Sequence, residues 1–404
     1  MLLALLVGLP SCVLATTTAK KITITDRGDV CNSSPTLFSI HFPQCPVQRD
    51  RLIQHALPCA LPPRAGLCPT KCLTAHEADK LYCTYTSRTF AAGRGISIIT
   101  SPQNMETFRN VPAFADAEVP AWANQNSSLP CREVEIPGKG RGLVASKMLH
   151  RGDRILASTP LVLLHLRSRQ PLDGPNFLEL KKAAVDGLPS RTKKLFWDLG
   201  KSFAAALCQC HDGHATADLA KRINHDCRPN AAYFFDPETF THHVHALTTI
   251  PTGTEITVSY IDPSMLRRRR RDELFSTWGF RCSCSSCTAH PALTTESDDR
   301  LEELASLQEQ LEEEWPTAPP EMAETLISLH EQERLHGPIS WAYQLAALTH
   351  CANGNYWTTK KYARLAIEVG TLDVGFGIQE DDQLRVLAER PKQEACWQRR
   401  MLVD

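Results

Sequence analysis

Four cysteines have the residue type and spacing of a metal site. Cys282, Cys284 and Cys287 form a C-x-C-x-x-C cluster, and Cys227 lies far upstream, two residues after His225. Tetrahedral zinc binds four thiolates, and a ligand from a remote segment lets one ion join two distant stretches of backbone. The cluster alone leaves unrelated cysteines open as an explanation. Its pairing with an Asn-His-x-Cys segment favours one zinc site shared by all four.

Four short motifs follow one another along the same part of the chain. They are GKGRGL at residues 138–143, RINHDCRPN at 222–230, GTEITVSY at 253–260 and WGFRCSCSSC at 278–287. In this order they resemble the glycine turn, the core signature, the tyrosine-ending strand and the post-SET zinc segment of a SET domain. The usual core signature is N-H-S-C-x-P-N, and here Asp226 replaces its serine. The resemblance covers residues 132–290, which is under half of the chain.

The resemblance implies a role for each motif residue. SET domains are the fold of protein-lysine methyltransferases that use S-adenosylmethionine, and Tyr260 matches their catalytic tyrosine. The residues expected to bind the cofactor are Lys139, Gly140, Arg141, Gly142, Asn224, His225, Tyr260 and Phe280. Tyr233 and Trp278 are expected to line the substrate channel. Trp278 stands where related enzymes often have tyrosine, which leaves the number of methyl groups transferred open.

The chemistry of methyl transfer suits these residue types. The substrate lysine must lose a proton, and an apolar channel beside a sulfonium cation lowers the pKa of its amine. Gly140 and Gly142 allow the backbone to approach a cofactor closely. Asn224 offers both a donor and an acceptor for polar groups of the cofactor. The sequence therefore predicts a protein-lysine N-methyltransferase, with a catalytically inactive SET-fold binding protein as the alternative.

The composition limits the partners. Across 404 residues the formal net charge is −1, so no direct nucleic-acid binding is expected. No internal apolar run is long enough to span a membrane. The expected partner is a protein substrate with a target lysine, and the sequence does not distinguish a histone from another protein.

The N-terminal region indicates a different cellular compartment from the one expected for the SET-like region. Residues 1–15 are apolar and resemble a signal peptide, which favours the secretory pathway or secretion over the nucleus or cytoplasm. Six cysteines follow and predict up to three disulfides: Cys31, Cys45, Cys59, Cys68, Cys72 and Cys83. A metal site at Cys68, Cys72, His76 and Cys83 is the competing interpretation. Familiar SET substrates lie in reducing compartments, so the two interpretations of location stay open.

The strands and helices predicted around these residues indicate an α+β fold. Small twisted sheets with a helical insert at 175–221 should form the SET and post-SET region at 132–290. A cysteine-rich region at 16–110 and a linker at 111–131 precede it, and a helical domain at 291–404 follows. Residues 296–299 should cap the first helix of that domain. Five consecutive arginines, 267–271, are interpreted as a solvated helix face, with a peptide-docking or nuclear-import patch as the alternative.

Overall fold

The computed structural model describes residues 67–75, 80–120, 123–124, 129–165, 175–199, 208–210, 214–217 and 222–400. The predicted signal peptide and Cys31, Cys45 and Cys59 lie outside these ranges. The predicted α+β class is confirmed, because short strands form the first part of the described chain and helices form the last.

The strands lie between residues 68 and 258. They are β1 (Cys68–Ala75), β2 (Lys80–Ser87), β3 (Ile96–Thr100), β4 (Cys131–Ile136), β5 (Gly140–Ala145), β6 (Arg154–Ser158), β7 (Val162–His165), β8 (Cys208–Cys210), β9 (His214–Ala217), β10 (Asn224–His225), β11 (Ala231–Asp236), β12 (Thr241–Ala246) and β13 (Glu255–Val258). Within the predicted helical insert, β8 and β9 are strands. They pair with each other, and β9 also pairs with β7. The backbone groups of these residues therefore bond to neighbouring strands instead of within a helix.

The helices flank the sheets and then form the C-terminal region. They are α1 (Phe90–Gly93), α2 (Pro102–Arg109), α3 (Pro112–Ala115), α4 (Pro175–Gly187), α5 (Ser190–Leu199), α6 (Arg267–Trp278), α7 (Ser285–Thr288), α8 (Pro291–Glu314), α9 (Pro320–Gln332), α10 (Ile339–Ala352), α11 (Tyr356–Asp373) and α12 (Asp382–Glu389). None of the helices in the described ranges is both long and apolar enough to cross a membrane.

Three sheets organise the strands. Their orders are β1-β2-β3-β7-β9-β8, β10-β13-β5-β4 and β11-β12-β6. In the first sheet β3 pairs in parallel with β7, so the predicted N-terminal region and the predicted SET region share one sheet. Helix α4 covers this sheet, where Ser97 donates to the Ala184 carbonyl (2.6 Å). The predicted linker begins with a packed segment, since the Phe114 ring lies 4.8 Å from that of Phe240. The domain boundaries themselves stay predictions.

The two sheets that carry the motifs enclose one apolar core. Alternate residues of β13, Ile256 and Val258, are buried in it together with Leu143, Ile155 and Val244. Burial of such a side chain stabilises the fold by about 1.5–3 kcal/mol. Tyr233 and Tyr260 are half-buried at the rim of this core, so the strand pattern brings both tyrosines to its edge.

A separate apolar core holds the C-terminal helices together. Most residues of α10 are buried, as expected of a helix surrounded by others. Helix α8 begins at Pro291 with His290 as its N-cap, so the predicted cap at 296–299 is wrong. The side chains of Ser297 and Asp298 make tertiary contacts instead, to Glu333 and to the backbone of Arg267.

Disulfides occur in both halves of the described chain. Cys72 pairs with Cys83 across β1 and β2, and Cys68 is also disulfide-bonded. This supports the predicted disulfides over a metal site at these positions, because a disulfide sulfur is no thiolate ligand. A further disulfide, which was not predicted from the sequence, joins Cys351 in α10 to Cys396 beyond α12.

Replacing both Cys351 and Cys396 by alanine should lower the free energy of unfolding by about 2–4 kcal/mol. The reason is that the bond closes a loop of 45 residues and restricts the unfolded chain. Denaturant unfolding of the double variant measures the change. Non-reducing peptide mapping should recover the linked Cys351 and Cys396 peptides, and free thiols at both positions would contradict the bond.

Candidate functional site

The four predicted metal ligands converge on one point. Cys227 follows β10. Cys282 and Cys284 come from the segment between α6 and α7, and Cys287 lies in α7. All four side chains are buried, and their sulfur atoms lie within 4.8 Å of one another. The Cys227 Sγ is 3.6 Å from the Cys287 Sγ and 4.0 Å from the Cys282 Sγ. This group could hold a metal ion, and it joins two segments that are remote in sequence.

His225 connects the cysteine cluster to Tyr260. The Tyr260 backbone N–H donates to His225 Nδ1 (3.0 Å), and His225 Nε2 lies 3.3 Å from the Cys227 Sγ. Since Nδ1 accepts a hydrogen bond, the proton of the neutral ring is on Nε2 and points to the sulfur. Burial lowers the pKa of His225 to about 4, which keeps the ring neutral near pH 7.

Tyr260 is held at both its backbone and its hydroxyl. The hydroxyl donates to the Ile223 carbonyl (2.6 Å), while the backbone N–H is bound to His225 as above. The Tyr260 ring lies 4.6 Å from the Trp278 ring and 6.3 Å from the Phe280 ring, measured between centroids. The His225 ring lies 6.0 Å from that of Phe280. Four predicted site residues therefore form one group of rings beside the cysteine cluster.

A second polar group forms where the glycine turn meets β10 and β13. Lys139 Nζ lies 2.8 Å from Glu255 Oε2, and Asn224 Nδ2 donates to Glu255 Oε1 (2.9 Å). A Cβ added to Gly142 would lie 2.7 Å from Asn224 Nδ2 and 2.7 Å from Ile136 Cγ1. Gly142 is therefore required by close packing, whereas Gly140 has a φ of +73° and open space around a Cβ.

Gly142→Ala should lower the free energy of unfolding by about 1–3 kcal/mol, the usual cost of overpacking. The added methyl group would displace Asn224 or Ile136, and it would disturb the contact between Asn224 and Glu255. Denaturant unfolding measures the effect. An unchanged midpoint and slope would contradict the close approach.

Two predicted residues lie outside these groups of contacts. Arg141 is half exposed, where its Nη1 lies 3.1 Å from Glu133 Oε1 and its Nε lies 3.6 Å from Glu135 Oε1. Tyr233 lies on β11, and its ring centroid is 6.5 Å from that of His242. Both assignments stay predictions. The ion pairs between β4 and β5 hold the Arg141 side chain against its own sheet.

Asp226 and Asn230 hold the signature loop in shape. The Asp226 Oδ1 accepts the backbone N–H of Arg228 (2.8 Å), so this carboxylate makes a local turn contact. Asn230 donates to the Glu255 carbonyl (2.8 Å) and accepts the Thr257 N–H (2.9 Å). The Asn230 side chain thus acts as a further backbone partner for β13, the strand that leads to Tyr260.

The contacts of Glu255 and the partners of Arg228 were not predicted from the sequence. Arg228 is buried and donates to the carbonyls of Cys227 and Pro263 (both 2.8 Å), and its Nη2 lies 2.6 Å from Glu333 Oε2. The only signal in the sequence was the position of Glu255 and Arg228 inside quoted motifs. No local pattern pairs Arg228 with Glu333, because Glu333 lies 105 residues away.

Comparison with known proteins identifies the region that carries these contacts. The family described as SET domain matches residues 140–261. This chain carries a SET domain. The matched residues include positions 140–143 of the glycine turn, the signature loop and Tyr260, so the resemblance and the fold that it implied are confirmed.

Several known proteins are similar to parts of this chain. Histone-lysine N-methyltransferase set5 of Schizosaccharomyces pombe is 30% identical over 43% of this chain and 55% of its own length. A SET and MYND domain-containing protein of Dictyostelium discoideum is 45% identical over 17% of this chain and 20% of its own. The mouse protein-lysine N-trimethyltransferase SMYD5 is 36% identical over 30% of each chain. The chain thus spans about half the length of the first of these relatives and less of the others.

Proposed function

We propose that this SET protein is an S-adenosylmethionine-dependent protein-lysine N-methyltransferase. The observation that carries the proposal is the fixed position of Tyr260. Its hydroxyl proton is donated to the Ile223 carbonyl, so the phenolic oxygen keeps its lone pairs as acceptors. An acceptor held in this way suits the orientation of a substrate amine. The names of the relatives support the same general activity.

The residues around the glycine turn fit the cofactor. The backbone at Gly140 is approachable, since a Cβ there would meet no atom within 4 Å. Lys139 and Asn224 converge on Glu255, which places a cation and an amide side by side for polar groups of a ligand. Phe280, beside His225, offers a ring on which an adenine would stack. When bound, S-adenosylmethionine supplies an electrophilic methyl group on a sulfonium centre.

The chain contributes alignment and dehydration to the reaction. The rings of Tyr260, Trp278 and Phe280 form an apolar wall, and such surroundings favour the neutral form of a lysine amine. The Tyr260 oxygen would accept an N–H of that amine and thereby turn the nitrogen lone pair toward the donor. His225 fixes the backbone of Tyr260, and the cysteine cluster in turn fixes His225.

The metal that best fits the cysteine cluster is Zn²⁺. Zinc–sulfur bonds of about 2.3 Å in a tetrahedron place the sulfur atoms about 3.8 Å apart. The two sulfur separations at Cys227, 3.6 and 4.0 Å, lie on either side of that value. The structural consequence is a closed site with four thiolates, which would join the signature loop to the segment that carries Phe280.

Tyr260→Phe should lower kcat by about 100-fold or more, because it removes the acceptor at the reacting amine together with the hydrogen bond to the Ile223 carbonyl. Methyl transfer from labelled cofactor to proteins of a cell extract measures activity, and calorimetry measures cofactor binding, which should change less than about twofold. Tyr356→Phe, on a C-terminal helix, is the matched control and should keep full activity.

Three results would separate the alternatives. Full activity in Tyr260→Phe would remove the catalytic assignment. Cofactor binding by the wild-type protein without methyl transfer would favour the inactive binding protein. No cofactor binding at micromolar concentration would remove the enzyme hypothesis altogether.

We also propose that the chain enters the secretory pathway. The disulfides at Cys72–Cys83 and Cys351–Cys396 support this location, since such bonds persist in oxidising compartments. Expression of the full sequence with a C-terminal tag should place the protein in the endoplasmic reticulum or the medium with both pairs oxidised. A tagged protein found only in the nucleus, with reduced cysteines, would contradict the proposal.

A further inference from the structure

A polar cavity lies where the cysteine-cluster segment meets the C-terminal helices. Its volume is about 170 Å³, and five arginines and one glutamate line it: Arg228, Arg267, Arg270, Arg300, Arg334 and Glu333. By the same measure about 10–15 Å³ holds one water molecule, so the cavity has room for a ligand of several atoms. The cavity is separate from the rings around Tyr260.

The single carboxylate in this lining, that of Glu333, already forms two ion pairs. Glu333 Oε2 lies 2.6 Å from Arg228 Nη2, and Glu333 Oε1 lies 2.7 Å from Arg300 Nη2. Arg267 directs its Nε and Nη2 at the Cys287 carbonyl (2.9 and 2.7 Å). Within the described ranges, no carboxylate forms an ion pair with Arg267, Arg270 or Arg334.

The buried side chain of Arg270 is the strongest indication of a ligand in this cavity. Its side chain is 1% exposed, and its Nη1 donates to the Met265 carbonyl. Its Nε is buried, and no acceptor among the described residues reaches it. A guanidinium group does not lose its proton in proteins, so a buried N–H of this group without an acceptor destabilises the fold.

We propose that this cavity binds a phosphate group, either as free inorganic phosphate or as a small phosphate monoester. The planar donors of arginine match phosphate oxygens, and a doubly charged anion offsets more of the surplus charge than a carboxylate does. The hydroxyl group of Ser285 adds a neutral donor to the same lining. The proposal goes beyond methyl transfer and does not depend on it.

Binding would connect three parts of the chain. Arg267 and Arg270 lie on α6, Arg300 lies on α8, and Arg334 follows α9. A phosphate that contacts these side chains would hold the helical domain against the segment that carries the cysteine cluster. Because only the folded chain assembles this lining, phosphate should stabilise the protein in proportion to its occupancy.

The test is calorimetric titration of inorganic phosphate into the full-length, zinc-loaded protein, with ionic strength held constant by sodium chloride. We expect one saturable site with a Kd below about 1 mM. Arg334→Gln should weaken binding about tenfold, because it removes one charge-assisted donor. Arg334 is exposed, so this variant should keep the fold. Phosphate should also raise the Tm of the wild-type protein more than that of the variant.

Arg268→Gln is the matched control. Like Arg334→Gln, it removes one positive charge, in this case from α6. The Arg268 side chain does not line the cavity and is 95% exposed. Its Kd for phosphate should stay within about twofold of wild type. Equal weakening in both variants, or no saturable heat at all, would overturn the proposal. Titration with phenyl phosphate separates the two sources: tighter binding than phosphate indicates an ester, and weaker binding indicates the free ion.

Discussion

If the proposed zinc site is correct, Cys284→Ser should abolish metal binding and lower the free energy of unfolding by more than about 4 kcal/mol. The four sulfur atoms are buried and lie within 4.8 Å of one another, and they join segments on either side of β13 and α6. A structural zinc ion contributes its binding energy to folding, since the unfolded chain has no such site. A serine hydroxyl does not replace a thiolate ligand.

The same substitution should weaken cofactor binding. His225 lies between the Cys227 sulfur and the Tyr260 backbone, so loss of the metal releases the ring that positions Tyr260. Calorimetry with S-adenosylmethionine measures this effect, and elemental analysis measures zinc per chain.

Cys131→Ser is the matched control for this experiment. Cys131 is also a buried free cysteine, and it lies on β4 outside the metal cluster. Its zinc content should equal that of the wild-type protein. If Cys284→Ser retained one zinc ion per chain and matched the stability of Cys131→Ser, the metal site would be wrong.

Glu333→Gln should lower the free energy of unfolding by about 3–5 kcal/mol, the usual effect of breaking a buried ion pair. The Glu333 carboxylate accepts hydrogen bonds from Arg228 (2.6 Å), Ser297 (2.7 Å) and the Nε of Arg300 (2.8 Å). Removal of its charge leaves the Arg228 guanidinium buried without a counter-charge. Because Arg228 directly follows the proposed metal ligand Cys227, the loss should also loosen the signature loop.

The pH dependence of stability gives an independent measure. Burial opposes the ionisation of Glu333, but the hydrogen bonds from Arg228, Ser297 and Arg300 outweigh it and lower the pKa of the carboxyl. The stabilisation is therefore complete above the ordinary pKa of about 4.5 and is lost as the pH falls below it. Glu333→Gln should remove that part of the acid dependence, which urea unfolding between pH 6 and pH 3.5 measures.

Glu331→Gln is the matched control for Glu333. It makes the same change two residues earlier on α9, at an exposed position. It should change the free energy of unfolding by less than about 0.5 kcal/mol. Equal effects of the two variants would show that the buried ion pair contributes nothing specific.

The amino-acid sequence alone predicted much of the fold and of the site. Period-two patterns such as that of residues 255–260 predicted the strands, because alternate side chains enter one core. The four cysteines were identifiable because thiolate ligands leave few alternatives at that spacing. The long helices from α8 onward were also predicted, although the start of α8 was misplaced. Pro291 begins that helix, and the polar residues at 296–299 serve contacts that no local pattern reveals.

The amino-acid sequence determined which residues this SET protein has for the proposed metal site and the proposed methyl transfer, since both depend on residue type and short spacing. Only the tertiary structure decided how they are held. It brought Glu255 to Lys139 and Asn224, placed Glu333 against Arg228, and gathered five arginines around one cavity. These contacts join residues that are 31 to 116 positions apart, and their partners are chosen by the packing of sheets and helices rather than by any local pattern.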